Sequence, residues 1–251
     1  MLSKNTVKFI KSLQQKKFRK QENAFFVEGT KNVTELLGSD FNVTHLLYTP
    51  KFAERHSDLI QISGAQVMEV APKQLQSLGS FLTNDSALAV AEIKDNIPFK
   101  LQENELVIAL DDVRDPGNLG TIIRIADWYG IKKLLLSEET ADFYNPKVLN
   151  ASMGSFTRMN FFYTNLEEYL SDTELPVYGA FLEGHDIHRV DLKQVGIILM
   201  GNESKGISQE LASLVTTKLT IPSFGHAESL NVAVATAVIC DNFRRSLTQQ
   251  L

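Results

Sequence analysis

From residue 105 onward, short apolar runs alternate with segments of helical character, and this alternation limits the possible folds more than any other feature of the chain. The runs are four to eight residues long and are bounded by Gly, Pro, Asn and Ser, as buried strands are. Strands that alternate with helices are typical of a parallel sheet covered on both faces. We therefore predict an α/β fold, with ligands bound beyond the carboxyl ends of the strands.

The same alternation, over shorter elements, precedes a polar stretch around Pro98 that we interpret as a linker. This organisation predicts two α/β domains, the first much smaller than the second. The predicted boundaries are a basic segment at 1–20, a small domain at 21–94, a linker at 95–104 and a large domain at 105–251.

Composition excludes several classes of protein. The 251 residues are 43% hydrophobic and 22% charged, which is ordinary for a globular protein. No apolar run approaches the roughly 20 residues that a membrane helix needs, and the first residues lack the apolar core of a signal peptide. The single cysteine, Cys240, fits a reducing compartment, and its apolar neighbours predict a small buried side chain. We expect a cytoplasmic protein without a membrane association.

Charge is distributed unevenly along the chain. Residues 1–20 hold seven of the 25 basic residues and none of the 30 acidic ones, although the net charge of the whole chain is −5. Such a segment is typical of a partner for a polyanion, but a merely solvated helix face has the same composition. Phe9, Leu13 and Phe18 lie between the lysines and could pack the segment onto the rest of the protein.

The first strand-end loop, DDVRDPGNLG, separates the apolar run LVIAL from a helix that we expect to begin near Leu119 or Gly120. Pro116 and Gly117 suit a tight turn, and Asn118 is a suitable cap for the helix. Asn118, Thr121 and Arg124 follow an i, i+3 spacing and share one side. Arg124 can bind a phosphate or polarise a hydroxyl, or it can be a surface arginine paired with Asp127 or with an aspartate of the turn.

Two further loops follow strands in the same half of the chain. GNESKG places Glu203 at the end of one strand, as a functional carboxylate or as a solvated acid. The third loop leads through Ser229, a natural helix cap, into a helix that is apolar on every side over 232–240. Such a helix is expected to be buried, against the sheet or a second subunit, with the positive end of its dipole toward the site.

Other residues give weaker signals. His185 and His188 lie three apart, but no neighbouring cysteine or acidic motif supports a metal site, and we predict none. Trp128 lies within a helical run and is most simply a core residue. No Gly-rich phosphate-binding signature is present.

Taken together, the three loops resemble the three motifs of the SpoU/TrmH branch of the SPOUT RNA methyltransferases. The matching segments are NLGTIIR at 118–124, GNESKG at 201–206 and IPSFGHAESLNV at 221–232. Ser204 stands where many relatives have glycine. The first domain, with FFVEGTKNVTELL, resembles more loosely the L30e-like substrate-binding domain that often precedes this catalytic domain.

The resemblance implies a parallel-sheet SPOUT domain with a deep carboxy-terminal trefoil knot, S-adenosyl-L-methionine as the cofactor and an obligate homodimer. It also implies that the arginine can complete the site of the partner subunit. The catalytic residues that it implies are Arg124, Asn118, Glu203, Ser229 and Asn231. The cofactor-binding residues that it implies are Met200, Gly201, Asn202, Ile221 and Leu230.

The implied activity is methyl transfer from S-adenosylmethionine to a ribose 2′-hydroxyl of a structured RNA. By analogy with relatives that carry a separate L30e-like domain, 23S rRNA is favoured over tRNA. A tRNA methyltransferase, a non-catalytic RNA-binding module and an unrelated α/β transferase are the alternatives. The combination of Asn118, Arg124, Glu203 and Asn231 argues against a binding-only module, which needs none of these residues.

Overall fold

The computed structural model describes residues 2–80 and 83–248, and its contacts divide the chain into two units. Unit 1 comprises Met1–Asp95 and Asp142–Thr157, and unit 2 comprises Asn96–Ala141 and Arg158–Leu251. The strands are β1 Ala24–Glu28, β2 Val43–Tyr48, β3 Gln66–Glu69, β4 Ala87–Glu92, β5 Leu106–Leu110, β6 Lys133–Leu136, β7 Asn160–Tyr163, β8 Val177–Asp186, β9 Gly196–Met200 and β10 Thr217–Thr220. The helices are α1 Lys4–Ser12, α2 Lys16–Glu22, α3 Thr30–Leu37, α4 Pro50–Ile62, α5 Pro72–Gln76, α6 Pro116–Trp128, α7 Pro146–Ser152, α8 Leu166–Ser171, α9 Gln209–Ser213 and α10 Val232–Thr248, with a 3-10 helix at Ser155–Arg158.

Unit 1 is built on a four-stranded sheet in the order β1-β4-β2-β3. β4 pairs antiparallel with β1 and with β2, and every residue of β1 is buried. The basic amino-terminal segment is part of this unit, because Ile10 and Leu13 are fully buried in its core beside Phe26. The sequence suggested that apolar residues of the segment pack against the protein, and the burial of Leu13 confirms this.

Unit 2 contains the predicted parallel sheet. Its six strands lie in the order β10-β8-β9-β5-β6-β7, and each neighbouring pair is parallel. β5 and β9 at the centre are buried at every position, as expected for strands covered on both faces. The α/β prediction is therefore confirmed, whereas the trefoil knot stays a prediction.

Helices α6 and α10 pack against each other in unit 2. The exposure of their side chains contradicts two predictions from the sequence, one for α10 and one for Trp128. α10 is not buried all round, because half of the Val234 side chain is exposed while Thr236 and Cys240 on the inner side are fully buried. Trp128 at the end of α6 is 84% exposed, so its prediction as a core residue is wrong. The prediction for Cys240 is confirmed, and burial raises the pKa of its thiol to about 12.

No helix within residues 2–80 and 83–248 is both long enough and apolar enough to cross a membrane.

Candidate active site

The first two loops leave the sheet side by side because their strands are neighbours in matched register. Leu110 at the end of β5 lies opposite Met200 at the end of β9, and the amide of Asp111 donates to the carbonyl of Met200 at 2.9 Å. The carboxyl ends of parallel strands therefore bring DDVRDPGN and GNESKG to one edge, as the sequence predicted. This is the edge at which α/β proteins bind their ligands.

Helix α6 begins earlier than predicted, and its cap is Asp115 rather than Asn118. The Asp115 carboxylate accepts from the amide of Asn118 at 2.9 Å, and Pro116 occupies the first helical position, where its missing N–H costs nothing. Pro116 and Gly117 therefore form the first turn of the helix instead of a separate tight turn. Because Asp115 caps the helix, the side chain of Asn118 can form hydrogen bonds with residues of the other two loops.

Asn118 joins the three loops through its amide. Its Nδ2 donates to Oε1 of Glu203 at 3.0 Å, and its Oδ1 accepts from Nδ2 of Asn231 at 2.9 Å. The same Oε1 of Glu203 also accepts from the backbone amide of Asp115 at 3.3 Å. We call Asn231, Asn118 and Glu203 the amide relay, because one residue from each loop contributes to this continuous set of hydrogen bonds.

Asn231 also caps α10, a role that the sequence analysis gave to Ser229. Its Oδ1 accepts from the amides of Ala233 and Val234 at 3.0 and 3.3 Å, and α10 begins at the next residue, Val232. The side-chain amide of Asn231 thus caps α10 through its oxygen and donates to Asn118 through its nitrogen. Ser229 is exposed, and within the described residues the relay does not extend to it.

The second loop is held in shape by Asn202. Its Nδ2 donates to the carbonyl of Asp112 at 2.7 Å, and its Oδ1 accepts from the amides of Ser204 and Lys205 at 2.9 and 3.1 Å. Gly201 is required here, because a Cβ atom would lie only 2.2 Å from the backbone of Gly206. The side chain of Asn202 is therefore occupied within the protein, and its backbone N–H and carbonyl also pair with Gly206 at 3.0 and 2.9 Å, so Asn202 fixes the shape of this loop.

The paired aspartates of the first loop have structural partners. Oδ2 of Asp111, which is 8% exposed, accepts from the amide of Ser208 at 2.7 Å and so ties β5 to the segment before α9. Asp112 has a left-handed backbone, with φ of 61°, and its carboxylate pairs with Arg114 at 2.9 Å. Both residues therefore help to hold the turn, and among the described residues Asp112 is the one of the pair that binds an arginine.

Arg124 is exposed on α6, and no other described side chain bonds to it. The aspartates proposed as its surface partners are already engaged, since Asp127 forms a 2.7 Å ion pair with Arg158 and Asp112 binds Arg114. Thr121, one turn nearer the relay, is also exposed, and its hydroxyl donates to the carbonyl of Gly117. The five donors of the Arg124 guanidinium are consequently available to a ligand.

The residues expected to bind the cofactor differ in exposure. Met200 and Gly201 are buried at the end of β9, Ile221 after β10 is half-buried, and Leu230 before Asn231 is 49% exposed. An apolar side chain half exposed next to the amide relay gives a ligand an apolar surface to cover. Among the described residues no group of three His, Cys, Asp or Glu side chains is arranged to hold a metal ion.

Comparisons with known proteins agree with this geometry. The model of the SpoU rRNA methylase family matches residues 105–241, which contain the amide relay and Arg124. The model of the MRM3-like substrate-binding domain matches residues 4–89, and thus includes the basic segment.

Individual relatives match over nearly the whole chain. The 23S rRNA (guanosine(2553)-2′-O)-methyltransferase RlmP of Bacillus subtilis is 32% identical over 95% of this chain and 95% of its own. The 23S rRNA (uridine(2479)-2′-O)-methyltransferase of Streptomyces viridochromogenes is 28% identical over 92% of this chain and 86% of its own. The crystal structure of the AdoMet-bound rRNA methyltransferase from Sinorhizobium meliloti superposes with a TM-score of 0.88, at 33% identity over 98% of this chain and 97% of its own. The chain belongs to the SpoU rRNA methylase family.

Proposed function

We propose that this protein transfers a methyl group from S-adenosyl-L-methionine to a ribose 2′-hydroxyl, with 23S rRNA as the substrate and the cytoplasm as its place of action. The observation that carries the proposal is the amide relay of Asn231, Asn118 and Glu203, together with the exposed Arg124, which lies on the same helix as Asn118 and has no ion-pair partner among the described residues. RlmP, named for the same chemistry on 23S rRNA, matches 95% of the chain and so includes both units.

The strand-end loops fit S-adenosylmethionine. Most amides of the GNESKG loop are engaged within it, but its carbonyl oxygens can each accept a second hydrogen bond, while Ile221 and the half-exposed Leu230 offer apolar contact for a ring. Met200 and Asn202 hold the loop in place: the side chain of Met200 is buried, and the side chain of Asn202 forms hydrogen bonds with the loop backbone. The cofactor supplies an electrophilic methyl group attached to a sulfonium.

The chain's own contribution to catalysis is orientation and charge. Arg124 contacts the 2′-oxygen or the adjacent phosphate, since a guanidinium is a fixed cation that donates up to five hydrogen bonds and does not accept a proton at its ordinary pKa. Asn118, Glu203 and Asn231 keep the three loops in one arrangement, and Ser229 is available to bond the target nucleotide. Holding the hydroxyl in line with the methyl group accounts for much of the rate.

The functional form in this proposal is a homodimer, and the carboxy-terminal loops form a trefoil knot. The support for a second subunit is a set of exposed apolar side chains: Trp128 on α6 is 84% exposed, Phe224 in the loop before α10 is 98% exposed and Val234 on α10 is 50% exposed. Trp128 lies one helical turn beyond Arg124, so an interface over this tryptophan brings Arg124 close to the partner's site. Light scattering of the purified protein tests the dimer, and a monomer at micromolar concentration would contradict it.

The decisive experiment compares Arg124→Ala with Arg189→Ala, a matched control that removes an arginine 87% exposed elsewhere in unit 2. We expect Arg124→Ala to abolish methyl transfer to a 23S rRNA transcript while calorimetry shows nearly unchanged binding of S-adenosylmethionine. The control is expected to keep both properties. Near-normal turnover of Arg124→Ala on its RNA would refute the role of Arg124, and absence of S-adenosylmethionine binding by the unaltered protein would refute the proposed function. Mapping of 2′-O-methyl groups in RNA from cells with and without the protein identifies the nucleotide.

A further inference from the structure

All six lysines of the amino-terminal segment are exposed. On α1, Lys4, Lys8 and Lys11 follow an i, i+4, i+7 spacing and are all exposed, so they form a stripe about 10 Å long at 1.5 Å per residue. Lys16, Lys17 and Lys20 are exposed on α2. We call these six residues the lysine face.

The seventh basic residue of the segment, Arg19, is separated from this face by burial. Its side chain is 2% exposed, donates to the carbonyls of Leu13 and Gln14, and forms a 2.5 Å ion pair with Asp142 within unit 1. Arg19 therefore stabilises the turn between α1 and α2, and its charge is compensated inside the protein. Of the seven basic residues in the segment, Arg19 is therefore buried and has a structural role, whereas the six lysines are exposed to solvent.

The charges of the lysine face have no acidic partners in the described part of the chain. Elsewhere in unit 1, Lys31 pairs with Glu35, Lys51 with Asp85 and Lys94 with Asp40. On the lysine face, by contrast, Lys17 contacts an aromatic ring instead of an acid, with its ammonium 6.0 Å from the ring of Phe18. Six neighbouring positive charges repel one another, and a polyanion relieves that repulsion.

We propose that the lysine face is the surface to which the phosphate backbone of the substrate RNA binds, a proposal that rests on the proposed function. Lysines act as mobile point charges and contact phosphates without reading bases, so this surface supplies affinity while the nucleotide is selected elsewhere. A membrane surface does not fit, because a helix that lies on lipid needs a free apolar side, and the apolar side of α1 packs into the core of unit 1 through Ile10, with Val7 and Phe9 beside it.

The test replaces Lys4, Lys8 and Lys11 together by Gln and measures RNA binding as a function of salt. Each phosphate contact contributes about 0.7 to the magnitude of the slope of log K against log salt on a single strand and about 0.9 on a duplex, so losing three contacts should lower that magnitude by about 2 to 3. We expect the KM for RNA to rise at least about 10-fold near physiological salt and kcat at saturating RNA to stay within about 2-fold.

The matched control replaces Lys31, Lys51 and Lys94 by Gln, which removes the same charge from the same unit but from paired lysines. It should leave the salt slope unchanged. A second variant, Arg19→Gln, should lower the melting temperature without changing the slope, which separates a structural effect from loss of phosphate contacts.

The outcomes separate this proposal from the proposed function. If the unaltered protein methylates RNA but the triple variant and the paired-lysine control give equal KM values and salt slopes, the lysine face is not the RNA surface. Binding of anionic lipid vesicles through these lysines, with RNA binding unaffected by their loss, would also overturn it. If the unaltered protein binds RNA in a lysine-dependent manner but transfers no methyl group, the proposed function fails while the RNA surface stands.

Discussion

Glu203 offers the sharpest test of the amide relay, because its carboxylate can act as an acceptor of hydrogen bonds or as a base. In the structure Oε1 accepts from Nδ2 of Asn118 at 3.0 Å and from the amide of Asp115 at 3.3 Å. Glu203→Gln keeps an oxygen at this position and removes the charge, whereas Glu203→Ala removes both. We expect Glu203→Gln to keep more activity than Glu203→Ala.

The magnitudes follow from the two hydrogen bonds. A bond to a charged acceptor contributes about 1.5 to 3 kcal/mol and a neutral one about 0.5 to 1.5 kcal/mol, and the exposure of Glu203 favours the low ends. Replacing the charge should therefore cost about 1 kcal/mol per bond, hence about 2 kcal/mol over both bonds, or roughly 30-fold in single-turnover rate. Loss of both bonds in Glu203→Ala should cost about 3 kcal/mol, or roughly 100-fold.

The assay is single-turnover transfer of a labelled methyl group at saturating RNA and cofactor, with Glu183→Ala as a control for loss of an exposed carboxylate in unit 2. A general base contributes about 100-fold to 10,000-fold to a rate, and glutamine cannot replace it. If Glu203→Gln fell as far as Glu203→Ala, the carboxylate would be the base and our assignment as an acceptor within the relay would be wrong.

Three further predictions concern the structure around the site. Asp115→Ala should remove the cap of α6, cost about 0.5 to 2 kcal/mol of unfolding free energy and slow methyl transfer, whereas Asp115→Asn, which keeps an acceptor, should restore most of both in calorimetry and turnover. Gly201→Ala places a Cβ atom 2.2 Å from backbone and should destabilise unit 2, while the same change at Gly225, where a Cβ atom would meet nothing within 4 Å, should leave the melting temperature unaltered. Because burial raises the pKa of the Cys240 thiol to about 12, alkylation of the native protein at pH 8 should be very slow and should become fast in denaturant. The neutral thiol contributes its full stability below pH 9.0, the ordinary pKa of a cysteine, and this contribution should decline as the pH rises from there toward about 12.

The sequence predicted the parallel sheet and the residues that meet at its edge, because both depend on patterns that act locally or through topology. Apolar runs mark buried strands, and parallel strands bring their carboxyl ends together, so Asn118 and Glu203 could be placed near one another from sequence alone. The match of the loops to family motifs then supplied Asn231. What the pattern could not supply was the bonding among the three.

The helix caps were misassigned for a related reason. Asp115 and Asn118 are both good capping residues, and Pro116 suits a tight turn as well as the first position of a helix. Ser229 and Asn231 present the same choice before α10. The structure settles both cases in favour of the residue whose cap brings Asn118 and Asn231 within hydrogen-bonding distance.

Trp128 shows the limit of periodicity. A helical pattern indicates which side of α6 is apolar, but it does not tell whether another element covers that side, and in this chain the tryptophan is 84% exposed. The amino-terminal segment shows the converse, since a run rich in lysine is typical of a solvated arm although Ile10, Leu13 and Arg19 are buried within unit 1. Both outcomes depend on long-range packing.

The two proposals assign different tasks to different charges, and this makes their effects separable. The lysine face, which has no acidic partner among the described residues, is proposed to bind RNA equally in the ground state and the transition state, so its loss is expected to raise KM. In the proposed function, Arg124 and the relay would act on the reacting ribose and contribute binding energy in the transition state, so their loss is expected to lower kcat. Combining Lys4, Lys8 and Lys11→Gln with Arg124→Lys should therefore give independent changes in the two constants. A lysine variant that lowered kcat at saturating RNA would show instead that the phosphate contacts help to place the ribose.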